Sequence, residues 1–445
     1  MNLHRLLLER NKNNNPIKVG LIGAGKFGTM FLSQARTTTG IHIVGIADLN
    51  VEQAKKNCLK SGWKQEKFEA GSYEEALAKG KTFIGEDSER LIKTHGIEVI
   101  VEATGNPTTG ISHCLQCIEN GVHIVMVNVE ADVLAGPLLA SKALKAGVCY
   151  SLAYGDQPAL ICEHVDWARA IGFEVTCAGK GTRYLPSYHE STPDTVWENF
   201  GWDLEVVRRG GLNPKMFNSF IDGTKSGIEM TAVCNATGLT PQSDGLSFPP
   251  ASRFELADIC KPKEFGGKVE KSGTTEVVSS LQRDGTSVPN HLQVGTYVVV
   301  EADTDYVKYC FEEYTMLPDQ SFRFAALYRP IHLIGLELGI SIASTVLRNE
   351  PTGSPLGFQS DVVTTAKKKL HQGEILDGEG GYCVWGRQMP AIESIKAGCL
   401  PLGLANEVKL NRDVSAGEQI CWKDVEIDMN QQAVKIRREM ENLFS

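Results

Sequence analysis

Short runs of apolar, often β-branched residues alternate with amphipathic segments along the first third of the chain. Residues 17–22, 41–47, 99–103, 122–127 and 149–152 are apolar at most positions, as strands buried on both faces must be. Between them, residues 27–36, 52–61, 112–120 and 134–146 repeat apolar positions three and four apart and read as helices. Parallel strands need long crossovers, so this alternation predicts an α/β fold with a doubly wound parallel sheet and helices on both faces. Residues 1–16, with one patch (Leu6-Leu7-Leu8) and an Asn-rich stretch, read as a flexible tail.

Past residue 155 the pattern is less regular. Helices are predicted at 160–171, 216–235 and 332–346, and strands at 173–178 and 296–301. A Gly/Asp-rich break at 377–381 opens a last piece with short strands such as 408–410 and a turn at Ser415-Ala416-Gly417. The expected division is 1–16, 17–155, 156–375 and 376–445. These are a tail, a Rossmann domain, a central α+β catalytic and oligomerisation domain and a small C-terminal β domain.

Composition narrows the classes. The 445 residues carry 45 Lys plus Arg against 54 Asp plus Glu, a formal charge of −9 that disfavours nucleic-acid binding. No apolar run approaches the roughly 20 residues of a membrane span, and the N-terminus lacks the pattern of a signal peptide. A cytoplasmic setting is expected, with the 12 cysteines as thiols. Cys114 and Cys117 form the one close pair and read as helix core; Lys367-Lys368-Lys369 reads as a solvated face.

The chemistry begins at Gly23-Ala24-Gly25-Lys26-Phe27-Gly28, a G-x-G-x-x-G between a strand and a helix. Its glycines serve a tight turn, close approach of backbone to a diphosphate, and helix–strand packing. Asp48, at the end of the next strand, suits a ribose diol and favours NAD over NADP, although Lys26 or Asn50 offers room for a 2′-phosphate. Thr104, Gly105 and Asn128 follow later strands and are expected along the cofactor, with turn capping the competing role for Asn128. Lys180, expected in a Gly-Lys-Gly loop after the 173–178 strand whose glycines leave its side chain room to reach a ligand, is a candidate for holding and protonating a substrate oxygen. Asp222 and Lys225 are expected on one helix face, three residues apart. Arg183, Tyr184, Arg329 and His332 are candidate contacts for a small phosphorylated or acidic substrate.

Several motifs carry a family resemblance. Tyr154-Gly155-Asp156-Gln157-Pro158-Ala159, Gly179-Lys180-Gly181-Thr182, Asp222-Gly223-Thr224-Lys225, Arg329-Pro330-Ile331-His332 and Asp377-Gly378-Glu379-Gly380-Gly381 resemble the deoxyxylulose-phosphate reductoisomerase-like family, related to homoserine dehydrogenase. Residues 400–425 resemble a SAF (β-clip) domain. The resemblance implies an NAD(P)-dependent oxidoreductase acting by reductive isomerisation of 1-deoxy-D-xylulose 5-phosphate, or on a related sugar phosphate or sugar acid. It implies catalytic roles for Lys180, Asp222 and Lys225, a divalent cation (Mg²⁺ or Mn²⁺) whose ligands the sequence does not mark, and a homodimer. Glu130 stands where homoserine dehydrogenases carry a lysine, and this substrate-facing carboxylate counts against homoserine.

Overall fold

A computed structural model describes residues 2–210 and 212–444. They divide into two units. The first runs to Leu160 and takes in Leu333–Leu356; the second comprises Ile161–His332 and the chain from Gly357 onward.

The first unit is built on six parallel strands: β1 (Ile17–Ile22), β2 (Ile41–Ala47), β3 (Phe83–Gly85), β4 (Val99–Glu102), β5 (His123–Met126) and β6 (Tyr150–Leu152). Their order, β3-β2-β1-β4-β5-β6, is that of a dinucleotide-binding sheet with its switch point beside β1. The predicted doubly wound sheet is therefore present. The short edge strand β3 escaped the hydrophobic pattern because three residues give no periodicity.

Residues 3–12, expected in a flexible tail, form a helix instead. Leu3 and Leu7 lie one turn apart and are buried in the Rossmann core, which offsets the cost of ordering the segment. Leu338, Ile342 and Ala343 join the same core. The helix predicted at 332–346 starts later, at Gly339, and runs to Arg348.

The second unit centres on β7 (Glu174–Thr182), β8 (Thr274–Ser279), β9 (Thr296–Glu301) and β10 (Phe324–Arg329), in the order β10-β9-β7-β8. β7 outruns its predicted end at residue 178. Gly179 and Gly181 remain in the strand because a Cβ on either would overlap a neighbouring carbonyl, that of Glu276 or Leu292. The remaining strands are β11 (Ser360–Ala366), β12 (Ile375–Asp377), β13 (Val384–Pro390), β14 (Asn406–Leu410) and β15 (Val425–Glu426). β11 pairs with β13, and β14 lies between β12 and β15, so the C-terminal region is strand-rich.

The single helix expected at 216–235 is two, Pro214–Ile221 and Thr224–Thr237, because Gly223 breaks the chain at φ +89°. The second helix packs against β8, β11 and β13. It is buried except at Lys225, although much of it is polar. Its groups are paired: Thr231 Oγ1 meets Ser360 Oγ at 2.8 Å, and Asn235 Oδ1 accepts from the Gln359 and Ser360 amides. The C-terminal helix is tied down by Arg437, fully buried, whose guanidinium donates twice to Asp361, at 2.6 and 3.1 Å.

Candidate functional site

In the first unit, the glycine turn divides its labour as the spacing suggests. Gly23 adopts φ +92°, and a Cβ there would lie 2.6 Å from the Ala103 carbonyl oxygen. A Cβ on Gly28 would overlap the Gly23 carbonyl, so helix and strand can close only on a glycine. Gly25 is different: no atom lies within 4 Å of its would-be Cβ. This open space borders the N-terminus of the Lys26–Ala35 helix, whose cap makes no side-chain hydrogen bond. The first-turn amides and the helix dipole there suit a diphosphate. Lys26 and Phe27 open that helix.

Asp48 holds the turn in place. Its carboxylate accepts from the Ala24 amide at 2.7 Å and from the Asn50 amide at 2.8 Å, and its remaining lone pairs suit a ribose diol. Thr104 Oγ1 donates to the buried Glu102 at 2.5 Å, and Gly105 turns the chain at φ +68°. Asn128 caps the Val129–Lys145 helix through the Ala131 amide and donates to the Asn106 carbonyl at 2.8 Å. It is 1% exposed, so it positions the loops after β4 and β5. Glu130 stands in the first turn of that helix. These residues fit an NAD(P) dinucleotide.

Below them Asp132 is fully buried and accepts from Tyr150 Oη at 2.8 Å. Burial pushes its carboxyl up to about 7. The folded protein therefore binds this proton more tightly than the unfolded chain, and stability falls as pH rises from about 4 through about 7. Asp132→Asn should raise stability at pH 8 by up to about 4 kcal/mol. In urea melts that gain should shrink steadily toward pH 4.

In the second unit, register gathers the basic candidates. Lys180 faces Thr296 across β7 and β9, and Thr296 faces Arg329 across β9 and β10. Cross-strand partners project to the same face, so Lys180, Thr296 and Arg329 form one row. Lys180 is buried and ion-paired with Glu229 of the Thr224–Thr237 helix. Lys225 lies one turn before Glu229 on the same helix face. His164 joins through Nε2, 3.0 Å from Thr296 Oγ1. Burial, reinforced by the charge of Arg329, pushes its imidazole down to about 4, so the ring is neutral at pH 7. The sequence reading missed both His164 and Glu229. His164 lies in a helix whose apolar pattern announces only packing, whereas the Lys225/Glu229 spacing did offer a signal.

Three expectations need correction. Lys180 is a strand residue and does not sit in a loop; its glycines admit neighbouring backbone and do not free its side chain. Asp222 does not share a helix face with Lys225. It caps the preceding helix, accepts from the Thr224 amide at 2.9 Å and pairs with Lys367 at 2.7 Å. Lys367 in turn is not solvated: it is 8% exposed and also donates to the Ser191 and Gly381 carbonyls, while Lys368 and Lys369 are exposed.

The other candidates have partners of their own. Arg183 donates to the Asn199 carbonyl at 2.8 Å. Tyr184 is buried, stacked on Phe248 at 3.9 Å, with its hydroxyl 2.9 Å from His189 Nε2. His332 Nδ1 lies 2.7 Å from the Val294 carbonyl oxygen. Among the described residues no three His, Cys, Asp or Glu side chains gather as metal ligands. No helix among them is long and apolar enough to cross a membrane.

Comparison with known proteins assigns both parts. Residues 17–127 match the family described as an oxidoreductase family with an NAD-binding Rossmann fold, and residues 155–338 match the catalytic domain of oxidoreductase DRL. No curated protein matches. Among solved structures, the chain is similar to myo-inositol dehydrogenase from Lactobacillus casei in complex with NAD(H) and myo-inositol (15% identity, 41% of this chain and 50% of that one, TM-score 0.28). It is also similar to a probable dehydrogenase from Thermotoga maritima (13%, 75% and 90%, TM-score 0.39). A third likeness is to 1-deoxy-D-xylulose 5-phosphate reductoisomerase from Zymomonas mobilis in complex with NADPH (16%, 49% and 58%, TM-score 0.33). The chain spans about half the length of the myo-inositol dehydrogenase it matches. The chain thus carries a module matching an NAD-binding Rossmann oxidoreductase family, followed by a module matching the catalytic domain of oxidoreductase DRL.

Proposed function

We infer that the chain reduces a small phosphorylated or acidic carbonyl compound. The nearest reading is reductive isomerisation of 1-deoxy-D-xylulose 5-phosphate to 2-C-methyl-D-erythritol 4-phosphate. The observation that carries this reading is the row of Lys180, Thr296 and Arg329 with neutral His164 beside it, inside the segment matched to the DRL catalytic domain.

A bound reduced nicotinamide supplies a hydride to a carbonyl carbon. The protein's own task is to manage the oxygen. As the carbonyl gains alkoxide charge, the Lys180 ammonium stabilises it and is placed to release a proton to it. Glu229 holds that ammonium in position, and Lys225 adds a second positive charge on the same helix face. The Arg329 fork suits the phosphate or carboxylate that anchors the far end of the substrate. Asp222, held by Lys367, acts in this reading by fixing the turn at Gly223 from which Lys225 departs. The strand-rich tail serves as a SAF-like β-clip domain and the enzyme works as a cytoplasmic homodimer.

The test is oxidation of NADPH or NADH, followed at 340 nm, with 1-deoxy-D-xylulose 5-phosphate, in buffer with and without Mg²⁺ or Mn²⁺. Turnover is expected. Absence of turnover in every combination overturns the isomerisation and leaves an oxidoreductase of other specificity.

A further inference from the structure

A cavity of about 300 Å³ in the second unit is lined by Gly223, Phe248, Thr365, Trp385, Arg387 and Gln388. Its size is that of a small-molecule pocket. It lies away from the basic row: Gly223 and Gly227 border it, whereas Lys225 and Glu229, each two residues further on, point about 200° around the helix axis.

Four features describe what the cavity would take. Thr365 and Gln388 are lining residues, 1% and 2% exposed, and Thr365 Oγ1 and Gln388 Oε1 are buried without a hydrogen-bond partner. Leaving two such groups unpaired is costly unless something pairs with them. Arg387 spends one donor on the Asp244 carbonyl, at 2.8 Å, and has others in a planar fork. The Thr224–Thr237 helix begins here at Gly223, which has no side chain to cap it, although Asp222 takes the Thr224 amide at 2.9 Å. The other walls include Asp244, Leu246 and aromatic rings: Trp385 stacks on His189 at 3.8 Å, and Phe248 stacks on Tyr184.

We propose that this cavity is a second binding site, for a small polyhydroxylated anion. Arg387 and the helix N-terminus hold its carboxylate or phosphate. Gln388 Oε1 and Thr365 Oγ1 take its hydroxyls, and the rings of Trp385 and Phe248 cover its carbon chain. The site goes beyond the reductase reading and does not depend on it.

Calorimetric titration of the full chain with D-gluconate and with D-sorbitol 6-phosphate separates a carboxylate from a phosphate head. At least one is expected to bind with a dissociation constant below about 1 mM. Thr365→Val and Gln388→Leu should each weaken binding at least about tenfold without lowering Tm, since each removes an unpaired buried polar group. Lys180→Met with Glu229→Gln should leave this binding intact. The proposal is overturned if neither compound binds, if both cavity variants bind like wild type, or if the Lys180/Glu229 variant abolishes the signal.

Discussion

Replacing Lys180 by methionine together with Glu229 by glutamine is expected to lower kcat about a thousandfold in the proposed reduction. Dinucleotide affinity should stay unchanged. The paired substitution matters because both side chains are almost wholly buried. Removing Lys180 alone would strand a buried carboxylate and cost about 3–5 kcal/mol of stability, confounding the kinetics. Glu229→Gln alone keeps the ammonium and should lose far less activity. Wild-type kcat in the double variant would remove Lys180 from the chemistry.

Lys367→Met is expected to destabilise the fold by about 3–5 kcal/mol. Its ammonium pairs with Asp222, which is fully buried, and bridges the carbonyls of Ser191 and Gly381. Methionine fills similar volume but leaves an unpaired carboxylate and two carbonyls short of a donor. Adding Asp222→Asn should recover part of the loss, because it removes the stranded charge. Urea melts of the three variants measure both effects; a Lys367→Met protein as stable as wild type would mean that the pair contributes nothing.

The Rossmann half of the chain was readable because its signals are local. Apolar runs of four to seven residues, a glycine triad and Asp48 all lie within a few residues of what they govern. The helix at residues 3–12 was not readable, since only the distant core explains why Leu3 and Leu7 order it. The second unit hid more for the same reason. The row of Lys180, Thr296 and Arg329 exists only through strand register, over separations exceeding 100 residues for the first pair. Lys367 in a lysine run looks solvated until Asp222 is seen against it. Gly223 was visible as a residue, but not as the break that moves Asp222 off the helix.

The central claim is that a dinucleotide diphosphate lies in the open space at Gly25. Calorimetric titration of wild type and Gly25→Val with NADH and NADPH tests it most directly. The Gly25 φ of −70° is open to any residue and its Cβ would touch nothing, so the variant should fold like wild type. Wild type is expected to bind at least one nucleotide, and the variant to bind about a hundredfold more weakly, a loss of about 2.7 kcal/mol. No binding by wild type, or equal binding by a well-folded variant, would contradict the account.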